Sequence, residues 1–156
     1  MSKSVNRVKA ALQAAGLDIR IQEMAADTRT AAQAAAAAGC DIDQIAKSII
    51  FRDESCDRAV LFVTAGGNQV APDKAANLAD APLGKADAGL IRTQTGFAIG
   101  GVSPLGHLSP IRAFFDPRLT DFPEIWAAAG TPRHIFPIAP ADLLRITGAQ
   151  VADFTA

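Results

Sequence analysis

Ser48-Ile49-Ile50-Phe51-Arg52-Asp53-Glu54-Ser55-Cys56-Asp57-Arg58-Ala59-Val60-Leu61-Phe62-Val63-Thr64 is the stretch from which the fold class is read. Two apolar runs, Ser48–Phe51 and Arg58–Thr64, flank a polar turn at Asp53–Asp57, and this pattern predicts an antiparallel strand pair. Upstream, Asp41 or Asp43 starts a short helical turn that leads through Gln44-Ile45-Ala46-Lys47 into the first strand. Downstream, Gly66-Gly67-Asn68 makes a tight turn into Gln69-Val70, and Pro72 opens a helix near Asp73–Leu78, a position that suits proline. Two successive strands that pair directly, with no crossover helix between them, argue against a doubly wound parallel sheet.

The flanking sequence mixes helices and strands in the same irregular way. Ser4 is placed to cap a helix with apolar positions Val5, Val8, Leu12 and Ala15, stopped by Gly16. Leu17–Glu23 alternates with period two and predicts a strand with one wet face. Asp27 or Thr28 caps an alanine-rich helix running from Thr30 to Ala38 and ended by Gly39. Pro82–Lys85 is a break, followed by a helix over Asp87–Gln94 that stops at Gly96. Ile111–Phe115 is an apolar strand, and Asp116-Pro117 is most simply a turn. Ile125–Ala129 fits strand or helix; His134–Ile138 is a strand, Pro140–Ile146 a helix and Val151–Phe154 a short final strand. The expectation is one α+β domain spanning residues 1–156, with no internal repeat and no linker.

Composition narrows the function. With 15 basic and 16 acidic residues the net charge is −1, so there is no global field to draw in nucleic acid, and a polyanion would need a local patch. Cys40 and Cys56 are the only cysteines and fit neither a C-x-x-C pair nor a metal-ligand spacing, which points to a reducing compartment. The N-terminal segment is charged and amphipathic, with no signal core, and no apolar run approaches the roughly 18 residues of a membrane span. A soluble cytoplasmic protein is expected.

Thr95-Gly96-Phe97-Ala98-Ile99-Gly100-Gly101-Val102-Ser103-Pro104-Leu105-Gly106-His107 holds four glycines and a proline among apolar residues. It is too long for a hairpin turn and too apolar for a solvated linker. It reads either as a pocket wall presenting main-chain groups to a ligand or as an irregular connector. Lys47, one of five lysines, leads an apolar strand; it is either a surface lysine or an ammonium aimed into a cleft, offering three donors to a phosphate, carboxylate or carbonyl. His107 and His134 are the only imidazoles, and His107 is placed either for packing or to line the same pocket. No P-loop, H-E-x-x-H, dinucleotide fingerprint or nucleophile elbow is present, so cofactor-free chemistry without metal is favoured. Thr28 and Thr30 are most simply capping residues.

Three segments in order carry a resemblance: Thr28-Arg29-Thr30-Ala31-Ala32, Gln44-Ile45-Ala46-Lys47-Ser48-Ile49-Ile50-Phe51, and Thr95–Gly106 with its T-G-x-x-x-G-G-V-S-P pattern. Phe115–Leu119, Ala128–Pro132 and Pro140–Leu144 extend it over nearly the whole chain. The sequence resembles the YbaK family of aminoacyl-tRNA deacylases, also found as the editing insertion of bacterial prolyl-tRNA synthetases. The resemblance implies a mixed β-sheet curled into a partial barrel with flanking helices. It also implies hydrolysis of the ester joining a wrong small amino acid to the terminal adenosine of a tRNA, in particular the tRNA for proline. By the same resemblance Lys47 is the family's essential lysine, Gly100 and Gly101 its glycine pair, and Thr30 part of a pocket-shaping motif. Ser103 and His107 are further candidates by proximity in sequence. The implied partners are the acceptor end of a mischarged tRNA and a prolyl-tRNA synthetase. Two other readings use the same pocket: a non-catalytic module binding aminoacyl-adenosine or a nucleotide, and a hydrolase of small esters.

Overall fold

The structure, a computed structural model, describes residues 2–156. Its central pair is β2 (Ala46–Asp53) against β3 (Arg58–Ala65), antiparallel and in register from Ala46 opposite Ala65 to Asp53 opposite Arg58. Both strands run longer than the apolar runs alone suggest, because β3 is buried on both faces. Leu61 and Val63 enter a core shared with Phe115, Phe136 and Leu143. Val60 and Phe62 enter a second core with Ala75, Phe114 and Phe154. A strand covered on both sides reads as an unbroken apolar run. Phe62 stacks on Phe114 at 5.2 Å and meets Phe51 and Phe154 edge-on, so one ring is shared by three strands and the chain terminus. Full burial of one such ring contributes about 1.5–3 kcal/mol.

Among the described residues five α-helices flank the strands. The first, α1 (Lys3–Ala14), buries Val5, Val8 and Leu12 as the spacing requires, but its cap is Ser2, whose hydroxyl accepts from the Val5 N–H. Of the alternating segment Leu17–Glu23, only β1 (Gln22–Glu23) finds a strand partner. The alanine-rich helix α2 (Ala31–Ala38) is capped by Thr30, not by Asp27 or Thr28: Thr30 Oγ1 accepts from the Gln33 N–H while the Gln33 side chain accepts from the Thr30 N–H. Thr28 instead donates its hydroxyl to the Pro132 carbonyl. Thr30→Ala is expected to cost about 1 kcal/mol through loss of this reciprocal cap, measurable as a lower urea midpoint.

After α3 (Pro72–Ala79), the segment expected to be a break holds a short strand, β4 (Leu83–Lys85), paired with β2 from Phe51 to Asp53. Proline tolerates this edge position: Pro82 needs no donor there, and its carbonyl accepts from the Glu54 N–H. Next come α4 (Ala88–Thr95), capped by Asp87, and the glycine-rich stretch, which runs into β5 (Arg112–Phe115). β5 pairs with β3 in parallel, so the chain must cross back between the two strands. That long crossover carries α3, β4, α4 and the glycine-rich stretch, and it delivers the stretch to the β2 side of the sheet.

Ile125–Ala128 is a strand, β6, antiparallel to β7 (His134–Ile138). The helix α5 (Pro140–Thr147) and β8 (Gln150–Val151), parallel to β5, end the chain. The α+β class holds. The pairing gives a five-stranded sheet, β4-β2-β3-β5-β8, and a three-stranded sheet, β1-β7-β6. A single parallel bridge, Ile45 with Trp126, joins them, and the described strands close no barrel.

Candidate active site

β2 has a strand neighbour at Phe51–Asp53 on its β4 side and a bridge to Trp126 at Ile45. Residues 47–50 between these points have no strand on that side, and a cavity of about 450 Å³ opens along the free edge. The volume falls within the roughly 300–1,000 Å³ of small-molecule sites. Its walls are the start of α2 (Ala31, Ala32, Ala34), the edge of β2 (Ala46–Ile50), β6 (Trp126–Ala128) and the glycine-rich stretch (Ile99, Gly100, Val102). Alanine and isoleucine make up most of the lining. Among the described residues, the wall contains no His, Cys, Asp or Glu, and its cationic side chains are Lys47 and Arg29.

Lys47 lies in this cavity with Gly100 and Thr30, so three of the sequence-nominated residues are brought together. Its Nζ donates to the Gly66 carbonyl at 3.3 Å, in the turn that follows β3. Burial draws the Lys47 ammonium below the ordinary lysine range, and the carboxylates of Asp116 and Asp43 push back toward the charged form. The group is thus an ammonium kept partly desolvated, with one protein hydrogen bond among the described residues. Two of its three donors are left for a ligand. Beside it in the cavity wall, the Ser48 hydroxyl is buried without a hydrogen-bond partner among the described residues.

Asp116 is the residue that the sequence disguised. It does cap a 3-10 turn, accepting from the Arg118 N–H, but it is only 2% exposed. Its other oxygen accepts from the Ala65 N–H at 3.0 Å and the Asn68 side-chain amide at 2.9 Å. Asp116 therefore fixes the turn whose Gly66 carbonyl receives Lys47, and supplies negative charge to the ammonium. The Asp-Pro dipeptide signals a turn; no local signal places it 51 residues from its partner Ala65.

The other three nominated residues do not line this cavity. Gly101 is a packing glycine: a Cβ there would fall 2.7 Å from the Thr131 backbone. Gly101→Ala is expected to destabilise the fold by about 1–3 kcal/mol because backbone cannot yield as a side-chain tip can, read as a drop in melting temperature. Ser103 is fully buried and its hydroxyl accepts from the Leu105 N–H, a local turn bond. His107 faces a second cavity of about 390 Å³, with Nε2 at 2.7 Å from the Ser103 carbonyl. Burial pulls its imidazole below the ordinary histidine range, favouring the neutral ring.

The glycine-rich stretch is held from outside. Arg7 of α1 donates from Nε to the Gly106 carbonyl at 2.9 Å and from Nη2 to the Gly96 carbonyl at 2.7 Å. The guanidinium also covers the Phe97 ring at 4.5 Å. One side chain thereby pins both ends of the stretch and leaves Ile99 and Gly100 free to form the cavity rim. Gly100 has φ +96°, a conformation that glycine adopts without strain, and the Arg29 side chain lies across it.

The fold and the cavity together define an α+β domain with a cavity lined by alanine, isoleucine, main chain and a partly desolvated lysine. Residues 25–146 match the aminoacyl-tRNA editing domain model, and the chain belongs to that family. A solved structure of a candidate trans-editing enzyme for prolyl tRNA synthetase superposes with TM-score 0.93 and 44% identity, covering 100% of this chain and 99% of that one. The hypothetical protein APE2540 gives TM-score 0.87 at 29% identity, covering 96% and 99%. The uncharacterised Bacillus subtilis protein YwhH is 28% identical over 131 residues, 84% of this chain and 83% of its own length. Among the described residues no helix is long and apolar enough to cross a membrane.

Proposed function

We propose that residues 1–156 act as one editing domain, a deacylase that removes a wrongly attached small amino acid from tRNA by hydrolysing the aminoacyl ester. The tRNA for proline is the proposed substrate and a prolyl-tRNA synthetase the proposed partner. The similarity to a candidate trans-editing enzyme for that synthetase supports this choice. Such a role belongs in the cytoplasm. The observation that carries the reading is the meeting of Lys47 and Gly100 in one cavity whose wall, among the described residues, holds no His, Cys, Asp or Glu.

An aminoacyl ester is already activated, so orientation and hydrogen bonds to the developing oxyanion supply much of what hydrolysis needs. In this mechanism Lys47 anchors the terminal nucleotide or the ester, and main-chain donors near Gly100 polarise the carbonyl. A water attacks the carbonyl carbon and the ester C–O bond breaks, while the vicinal ribose hydroxyl relays the water's proton to the departing ribose oxygen and the free amino acid leaves. The two bridged sheets, read as a partly curled barrel, would wrap the ester. The wall of Ala31, Ala32, Ala127, Ala128 and Gly66 suits small side chains such as alanine, serine, threonine, cysteine or 2-aminobutyrate. An extra methylene is worth only about 1–3 kcal/mol of discrimination at a synthetase, which is why a second sieve is needed for such residues.

The test is a panel of mischarged tRNAs with prolyl-, alanyl- and threonyl-type acceptors. Release of at least one small residue from the prolyl acceptor, above its release from the others, is the expected result. Tight binding without turnover, or equal turnover of simple esters, would overturn it.

A further inference from the structure

A chain of net charge −1 must meet a polyanion locally, and the cavity rim contains such a place. Arg29 lines the cavity, and its side chain lies across Gly100, with Cγ, Cδ and Nε 3.4–3.6 Å from where a Cβ would be. Its side chain is 61% exposed, and its ion-pair partner is Asp27, at a loose 3.9 Å. Arg133 shares that same carboxylate at 3.6 Å. Two guanidinium groups on one carboxylate leave one positive charge in excess beside the cavity mouth. Glu23, whose carboxylate lies 3.4 Å from His134 Nε2, makes no ion pair with Arg29 or Arg133 among the described residues.

The pair is built into the fold. The Thr28 N–H and hydroxyl both donate to the Pro132 carbonyl, and the Met24 N–H donates to the Arg133 carbonyl. These bonds hold the segment before α2 alongside the turn before β7, so Arg29 and Arg133 both reach Asp27. Guanidinium is the side chain best matched to a phosphate, offering a planar fork of donors at fixed charge. Ile99, 60% exposed on the same rim, offers an apolar surface beside it.

We propose that Arg29, seated over Gly100 and flanked by Arg133, binds the phosphodiester on the 5′ side of the nucleotide whose ribose enters the cavity. The proposal rests on the editing reading for the identity of that nucleotide. It adds a phosphate subsite at the rim, separate from Lys47 inside. The site would grip the substrate strand without reading its sequence.

Its test is a binding measurement that needs no turnover. Two probes are used: 3′-alanylamido-3′-deoxyadenosine with a free 5′-hydroxyl, and the same compound carrying a 5′-methylphosphodiester. The native protein is expected to bind the phosphodiester probe about tenfold more tightly, the scale of one charge-assisted contact. Arg29→Gln should abolish that preference, with the melting temperature unchanged because the side chain is largely exposed. Arg29→Lys should restore part of it, and the preference should fade with added salt. Equal affinity of the native protein for the two probes, no binding of either, or a preference that survives in Arg29→Gln would each overturn the subsite. Deacylation of mischarged tRNA by the native protein is scored separately, so the loss of one proposal is not mistaken for the loss of the other.

Discussion

Lys47→Ala is expected to lower deacylation of a small-residue aminoacyl-tRNA by about 10²–10³-fold, the scale on which loss of a preorganised stabilising group is felt. The melting temperature should hardly change, because Lys47 makes one protein hydrogen bond and its charge is partly desolvated in the fold. The pH dependence makes the prediction sharper. Burial lowers the Lys47 pKa from 10.5, so over the window between its folded value and 10.5 the native state binds fewer protons than the unfolded chain. Lys47's own contribution to stability therefore improves as pH rises through that window. Activity should move the other way, falling as the ammonium deprotonates earlier than a free lysine would. An alkaline loss of rate without an alkaline loss of fold identifies the anchor. In Lys47→Arg, whose guanidinium keeps its proton, whatever activity remains should lack that alkaline limb. Full activity of Lys47→Ala would remove Lys47 from the mechanism.

Asp116→Ala is the second large effect, and here stability is expected to move first. The substitution strands the Ala65 N–H in a fully buried setting and the Asn68 amide and Arg118 N–H in partly buried ones. Each buried donor left without a partner costs about 1–3 kcal/mol. With partial resolvation of the outer two, a loss of about 2–4 kcal/mol is expected, or a fall in melting temperature of roughly 5–15 °C for a chain of this size. Asp116→Asn separates structure from electrostatics. It keeps the shape but removes the charge that supports the Lys47 ammonium, so the alkaline limb should shift to lower pH. A native melting temperature and a native pH profile in Asp116→Asn would show that the carboxylate does neither job.

What could be read in advance depended on whether a residue's partner was local. The β2–β3 hairpin was legible because its apolar runs and polar turn lie within twenty or so positions, as were α4 and its stop at Gly96. The helix caps were legible only as a type. Ser2 stood in for Ser4, and of the two threonines read as capping residues Thr30 caps α2 while Thr28 does not, because which hydroxyl reaches an N–H depends on where the chain turns in. Leu17–Glu23 alternated like a strand, yet only Gln22 and Glu23 meet β7, since pairing needs a neighbour as well as a pattern. Of the residues nominated from sequence, Lys47, Thr30 and Gly100 line one cavity, whereas Gly101 and Ser103 shared the glycine-rich signal for reasons of packing. Asp116 and Arg29 act through contacts that only the folded chain creates, at Ala65 and at Gly100.

The clasp made by Arg7 bears on where the working unit begins. The family match starts at residue 25, and every residue that lines the cavity falls within it. A fragment cut at that boundary would retain the whole lining but lose the guanidinium that fastens Gly96 and Gly106. In any attempt to transplant the domain onto another protein, the first helix belongs to the cargo.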